Sequence, residues 1–305
     1  MKTWQYALIV LIGGCCYGAL STFVKLAYSA GFTSSEVTGS QFLMGTILIW
    51  IAAFFSKKKK LTLPKIGKLL ISGIPLGLTS LFYYQSLQSL NASLAIIFLF
   101  QFVWIGSLYE WIFYKKAPTL GKIVSIGILI IGSIFASGII GVGLGDITWQ
   151  GIGWGMLSAL TYTTFIFVSS SVEKDTPVVQ KSALFTTGGM ITVFILSPPT
   201  GLLQLPVLME IAPYGFYLGL LGVVLPPILF TIGMPHVGPG LGTILTSSEL
   251  PIAVILSSVV LSEHVSMSQW LGVVLILGGI VAGNLKISHT KKKKKSTSLE
   301  LESAS

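Results

Sequence analysis

Ten apolar runs of roughly 18 to 25 residues follow one another along the chain, separated by short polar connections. A run of that length crosses the roughly 30 Å hydrocarbon core of a bilayer as an α-helix. The pattern predicts helices at 4–29, 36–55, 67–88, 92–113 and 121–140, then at 149–172, 181–198, 213–233, 240–261 and 268–287. The expected fold class is therefore an all-α integral membrane protein with ten transmembrane helices. The first run has a basic start at Lys2, as a signal peptide does, but it lacks an A-x-A-type cleavage site and nine more runs follow. We expect it to stay as helix one.

Composition agrees and narrows the class. Of 305 residues, 52% are apolar and 10% charged, with mean hydropathy +0.85, so much of the apolar surface must face lipid. Soluble enzymes, secreted scaffolds and nucleic-acid binders are excluded; the expected partners are membrane lipid and a small-molecule substrate. The formal charge of +9 comes from 19 lysines with no arginine. With both termini placed in the cytoplasm, 18 of those lysines fall in inside segments, whereas the outside connections carry Glu36, Asp146, Glu210 and Glu263. The opposite orientation would break the positive-inside rule throughout. The expected location is the plasma membrane. Residues 288–305 are lysine-rich and then Ser/Glu-rich, which reads as a disordered cytoplasmic tail. Cys15 and Cys16 are neighbours inside helix one and read as packing residues; no metal site and no cofactor is implied.

The two halves resemble each other. S-L-Q-S-L-N-A-S-L-A at 86–95 matches G-M-P-H-V-G-P-G-L-G at 233–242 at an offset of 147, L-G-K-I-V-S-I-G at 120–127 matches L-G-V-V-L-I-L-G at 271–278 at 151, and Tyr17 falls on Tyr162 at 145. The order is shared across five helices per half, and because five is odd the second half must be inverted. The repeats are placed at 4–140 and 149–287. Secondary transporters commonly build a midplane site from such inverted repeats.

The residues also carry a family resemblance. G-G-C-C-Y-G-A-L-S-T-F-V-K at 13–25, G-P-G-L-G at 238–242, E-L-P at 249–251 and L-S-E-H-V-S-M-S-Q-W-L-G at 261–272 resemble the EamA-type members of the drug/metabolite transporter superfamily. The likeness runs from about Tyr6 to Asn284. It implies a five-plus-five fold around a central cavity, and a substrate among amino acids, nucleobase-like compounds, sugars or drugs. Two positions depart from the family: Gln41 stands where many relatives carry Arg, and the Y-K-K-A-P hairpin after helix four lacks the family's Glu.

Ionisable and polar groups inside the spans are the candidates for chemistry, because each is costly at the bilayer centre. Glu249 lies near the middle of helix nine on a small, polar face with Gly242, Thr246, Ala253 and Ser257. It reads either as a coupling or substrate-binding acid or as a packed, protonated helix contact. Pro251 cannot donate to the carbonyl of Ser247, and Pro226-Pro227 interrupt helix eight and free the carbonyls of Gly222 and Val223, so all three are candidate kinks or gates. Lys25, near the outer end of helix one, either snorkels to headgroups or meets an anionic group of the substrate. Tyr84 and Gln88 on helix three, Gln101 and Trp104 on helix four, and Ser158 and Tyr162 on helix six are candidates to hold a small polar ligand; for the aromatics, interfacial anchoring is the competing reading.

The same residues bear on other classes. G-L-G-D at 143–146 is similar to the motif of intramembrane aspartyl proteases, but the only other aspartate, Asp175, falls on the opposite side of the membrane. The expected protein is not an enzyme. It reads as a secondary active transporter that exports an amino acid or similar metabolite by alternating access, with proton coupling possible through Glu249. A passive channel or membrane scaffold is the rival reading, and the midplane acid, for which a channel has little need, discriminates them.

Overall fold

The computed structural model describes residues 2–90, 92–139, 148–262 and 264–283. The Gly143–Asp146 motif, Glu263, His289 and the 288–305 tail lie outside these residues. The described residues form helices and connections, without strands. The helices are α1 (Thr3–Ser29), α2 (Ser34–Phe55), α3 (Leu63–Ser89), α4 (Ala92–Leu99), α5 (Phe102–Tyr114) and α6 (Leu120–Ala136). They continue as α7 (Trp149–Ser171), α8 (Val178–Leu196), α9 (Leu205–Gly219), α10 (Leu225–Val237), α11 (Pro239–Thr246), α12 (Glu249–Val260) and α13 (Met267–Gly283). Among the described residues eight helical stretches are long and apolar enough to cross a membrane, and Leu120–Ala136 and Met267–Gly283 are shorter apolar helices.

Helix starts follow from local chemistry. Thr33 accepts from the Glu36 backbone N–H, and the Glu36 carboxylate accepts from the Thr33 N–H at 2.8 Å. Ser266 and Gln269 make the same reciprocal cap before α13, at 3.3 and 2.9 Å. Between α10 and α11 the chain turns at one residue, Gly238, whose φ of +84° a side chain would disfavour.

Three expectations about continuity need correction. The fourth and ninth apolar runs are each two helical segments, broken at Phe100–Gln101 and at Ser247–Ser248. These breaks are 147 residues apart, the offset already found between the halves. The eighth run begins at Leu205, eight residues before the expected 213, with Pro206 in its first turn and Pro213 carried inside. Its proline pair is absorbed by a π-helical segment, Leu220–Val224, in which the Leu225 N–H reaches back to the Leu220 carbonyl. Pro226 and Pro227 then stand in the first turn of α10, where a missing N–H costs little.

Packing obeys the same relation between halves. Helix α3 packs on α7 and α8, and its counterpart α9–α10 packs on α2 and α1. The broken pair α4–α5 lies against α7, as α11–α12 lies against α1. At one end of the bundle Glu173, in the connection between α7 and α8, is tied to the first turns of α3 through ion pairs to Lys68 at 3.3 Å and Lys65 at 3.5 Å. Loss of water pushes its carboxyl pKa up, but the Lys68 hydrogen bond and the two lysine charges outweigh this and hold it below its ordinary range.

Candidate functional site

The break in the ninth run is held against helix one by close backbone approach. A Cβ on Gly18 would meet the Glu249 carbonyl oxygen and come within 2.8 Å of Ile252 Cβ, and one on Gly14 would lie 2.5 Å from Ser248 Oγ. Ser248 Oγ, meanwhile, donates to the Leu11 carbonyl at 2.9 Å. Only glycine lets α1 come this near, and the approach places Glu249 at the start of α12 beside Tyr17.

From that point a cavity of about 510 Å³ runs to the end of the bundle where α1 and α3 finish and α13 begins, its lining reaching Tyr28, Leu90, Leu261 and His264. Glu249 stands at its inner end with Tyr17 and Tyr162, whose rings meet edge to face at 5.6 Å. Tyr28, Tyr83 and Tyr84 extend the aromatic wall, and Lys25, His264 and Gln269 lie toward the mouth. Gln41 Oε1 accepts from the Tyr84 hydroxyl at 3.3 Å. Glu249 Oε2 and the Tyr17 hydroxyl are buried, with no hydrogen-bond partner among the described residues. A buried carboxyl oxygen of that kind can take a proton or accept a donor from a ligand. Beyond Glu249 the cavity ends on packed side chains, Phe102, Phe165, Ile166, Phe230 and Met234 among them, each at most 1% exposed.

Of the residues predicted for the site, Glu249, Tyr84, Tyr162 and Lys25 line this cavity. The others are placed elsewhere. Gln101 donates to the Ile97 carbonyl at 2.9 Å and accepts from Trp104 Nε1 at 2.7 Å, and Trp104 is 37% exposed on the outside of the bundle. Gln88 is exposed as well. Ser158 and Thr246 are buried and donate to carbonyls of their own helices, Gly155 at 2.7 Å and Thr243 at 3.0 Å. Pro226, Pro227 and Pro251 are buried in the first turns of α10 and α12 beside the π segment and the ninth-run break. Tyr17, Tyr28, Tyr83, Gln41, His264 and Gln269 were not chosen from sequence. For Tyr17 a signal existed, since it is the repeat counterpart of Tyr162; for the others nothing in the helical periodicity distinguished cavity from lipid. Among the described residues no three His, Cys, Asp or Glu side chains come together as a metal site.

Apolar helices in two matching halves, with a cavity between them, define a multi-pass membrane protein of internal-repeat type. The model of the EamA-like transporter family matches residues 4–138 and again 149–284. The chain belongs to that family, membrane transporters of the drug/metabolite transporter superfamily. One solved crystal structure is similar to it over 92% of this chain and 98% of that one, with TM-score 0.73 and 15% identity, a likeness of fold. No curated protein matches the sequence.

Proposed function

We propose that the protein is a secondary active transporter that moves an amino acid or similar small metabolite outward across the plasma membrane by alternating access. In this reading ten helices span the bilayer as two inverted five-helix repeats, 4–140 and 149–287, with both termini and the 288–305 tail in the cytoplasm. The cavity then faces outward. Glu249 is the coupling acid, the tyrosines and Gln41 hold the solute, and Lys25 meets it at the mouth. The observation that carries the reading is a cavity open to one end of the bundle and ending on an acid with an unpartnered oxygen, while the matching region of the other half is closed. A passive pore has no need of that asymmetry.

The test is counterflow in proteoliposomes. Purified protein loaded with unlabelled solute is screened against labelled amino acids, nucleosides, sugars and cationic drugs, with and without a pH gradient. Saturable exchange of at least one class is the expected result. Flux that never saturates and shows no exchange would overturn the carrier reading in favour of a channel.

A further inference from the structure

The two broken runs use one helical face differently. In the second half, Glu249, Ala253 and Ser257 of α12 line the open cavity. Subtracting the repeat offset of 147 gives Phe102, Gly106 and Glu110 of α5. That face is covered. The Phe102 carbonyl accepts from Thr163 Oγ1 at 3.4 Å, and a Cβ on Gly106 would sit 2.7 Å from Thr243 Oγ1. Glu110 is paired with Lys122 of α6, and both charged groups lie against Gly240 in the first turn of α11. Their side chains are 21% and 15% exposed, so this is an ion pair within the bundle, unlike the Glu173 pairs, whose lysines are 46% and 59% exposed. Beside it, Ser107 Oγ is buried without a hydrogen-bond partner among the described residues, although its repeat counterpart, Val254, faces the open cavity.

We propose that the Glu110–Lys122 pair is the inner gate of the transport path, clamping α5 and α6 against the start of α11, and that Glu110 and Ser107 line the path when the lysine-rich side opens. Inverted repeats reach their second state by exchanging the roles of the two halves. The face Phe102–Gly106–Glu110 must then become what Glu249–Ala253–Ser257 is now. Gly240 must then withdraw from the pair it covers, since both charged groups lie against it where α11 packs on α5, and parting α5 from α6 to widen the path breaks the ion pair that joins them. Glu110 is a positioning residue while the gate is shut and a lining residue when it is open.

The inference rests on the carrier reading, and its test needs no substrate. In a background with Cys15→Ala and Cys16→Ala, reporters Ser107→Cys and Ser257→Cys are labelled with a membrane-impermeant maleimide from the lysine-rich side and from the opposite side of oriented vesicles. Glu110→Gln and, separately, Lys122→Met should raise the labelling rate at 107 from the lysine-rich side by roughly three- to tenfold, the range expected for losing a half-buried ion pair. They should slow labelling at 257 from the other side. The exchanged pair, Glu110→Lys with Lys122→Glu, should bring both rates back toward wild type. Unchanged rates at 107 in both single variants overturn the proposal. So does a raised rate that the exchanged pair fails to reverse, which assigns the effect to loosened packing. Failure here removes the gate and leaves the carrier reading standing, whereas flux that never saturates and shows no exchange removes the carrier reading and the gate's role in transport with it.

Discussion

The contact of α1 with the break before α12 makes Gly18→Ala a sharp test of how the site is held. The new methyl would meet the Glu249 carbonyl oxygen and lie 2.8 Å from Ile252 Cβ and 3.1 Å from the Glu249 carbonyl carbon. Relaxed carbon contacts are roughly 3.5–4.0 Å, so the helices must part by roughly 0.5–1 Å, which forfeits a quarter to a half of each neighbouring dispersion contact. Two of the three opposing atoms are backbone and cannot rotate away. Overpacking of this kind costs about 1–3 kcal/mol. Stretching the nearby Ser248–Leu11 hydrogen bond adds about 1 kcal/mol, and the better helix propensity of alanine returns about 1 kcal/mol. The net is a loss of about 2 kcal/mol, or roughly 4–8 °C in Tm at 2–4 °C per kcal/mol. Gly127→Ala and Gly153→Ala are matched controls, because a Cβ there meets nothing within 4 Å. Each should leave Tm unchanged or raise it by roughly 2–4 °C. The assay is thermal unfolding of purified protein in one detergent, followed by tryptophan fluorescence. A Gly18→Ala protein that melts at or above wild type would refute the close-approach argument, as would controls that fall equally far.

Three further outcomes are expected. In the cysteine-free background, Lys58→Cys should label only from the cytoplasm and Asp146→Cys only from outside; the reverse at either position breaks the proposed topology. Glu249→Gln keeps shape and most hydrogen-bonding capacity but removes the charge change, so it should fold normally, abolish transport driven by a pH gradient and retain exchange of labelled for unlabelled solute. Wild-type pH-driven rates in that variant would leave Glu249 as a packing residue. Lys25→Met should weaken counterflow of carboxylate solutes at least about tenfold more than that of neutral ones, the scale of a lost charge-assisted contact, and equal effects on both classes would point to snorkelling.

The candidate site was partly legible in advance. Glu249 stood out because an acid in an apolar run is costly wherever it points, and Tyr162 and Tyr84 because they recur on faces with small residues. Gln101 and Trp104 misled for an instructive reason. Their polar atoms satisfy one another at 2.7 Å, and Gln101 donates across the break to the Ile97 carbonyl of α4 at 2.9 Å, which leaves neither in need of a cavity to receive it. Tyr83 and Tyr84 are adjacent, point differently and still both reach the cavity, a result that a simple helical wheel does not predict.

Sequence by itself determined the apolar helical character and the correspondence of the two halves, because apolar length and self-similarity are properties of the chain read in order. The lysine distribution likewise set the expected orientation, since charged loops resist crossing lipid whatever the helices do between them. The tertiary structure decided which half is open and added a helix break that the chain does not announce. No Gly or Pro lies within four residues of Phe100–Gln101, so nothing local forbids a continuous helix there. At Ser247–Ser248 the cause is partly local, because Pro251 cannot donate to the Ser247 carbonyl, and partly tertiary, with Ser248 bonded to Leu11 and Gly18 against the Glu249 carbonyl. The open and closed faces, Glu249–Ser257 and Phe102–Glu110, are related by the repeat and differ because one is covered by α6 and α11 and the other is not. That choice is made by packing between elements far apart in sequence, where the pattern along any one helix has no voice.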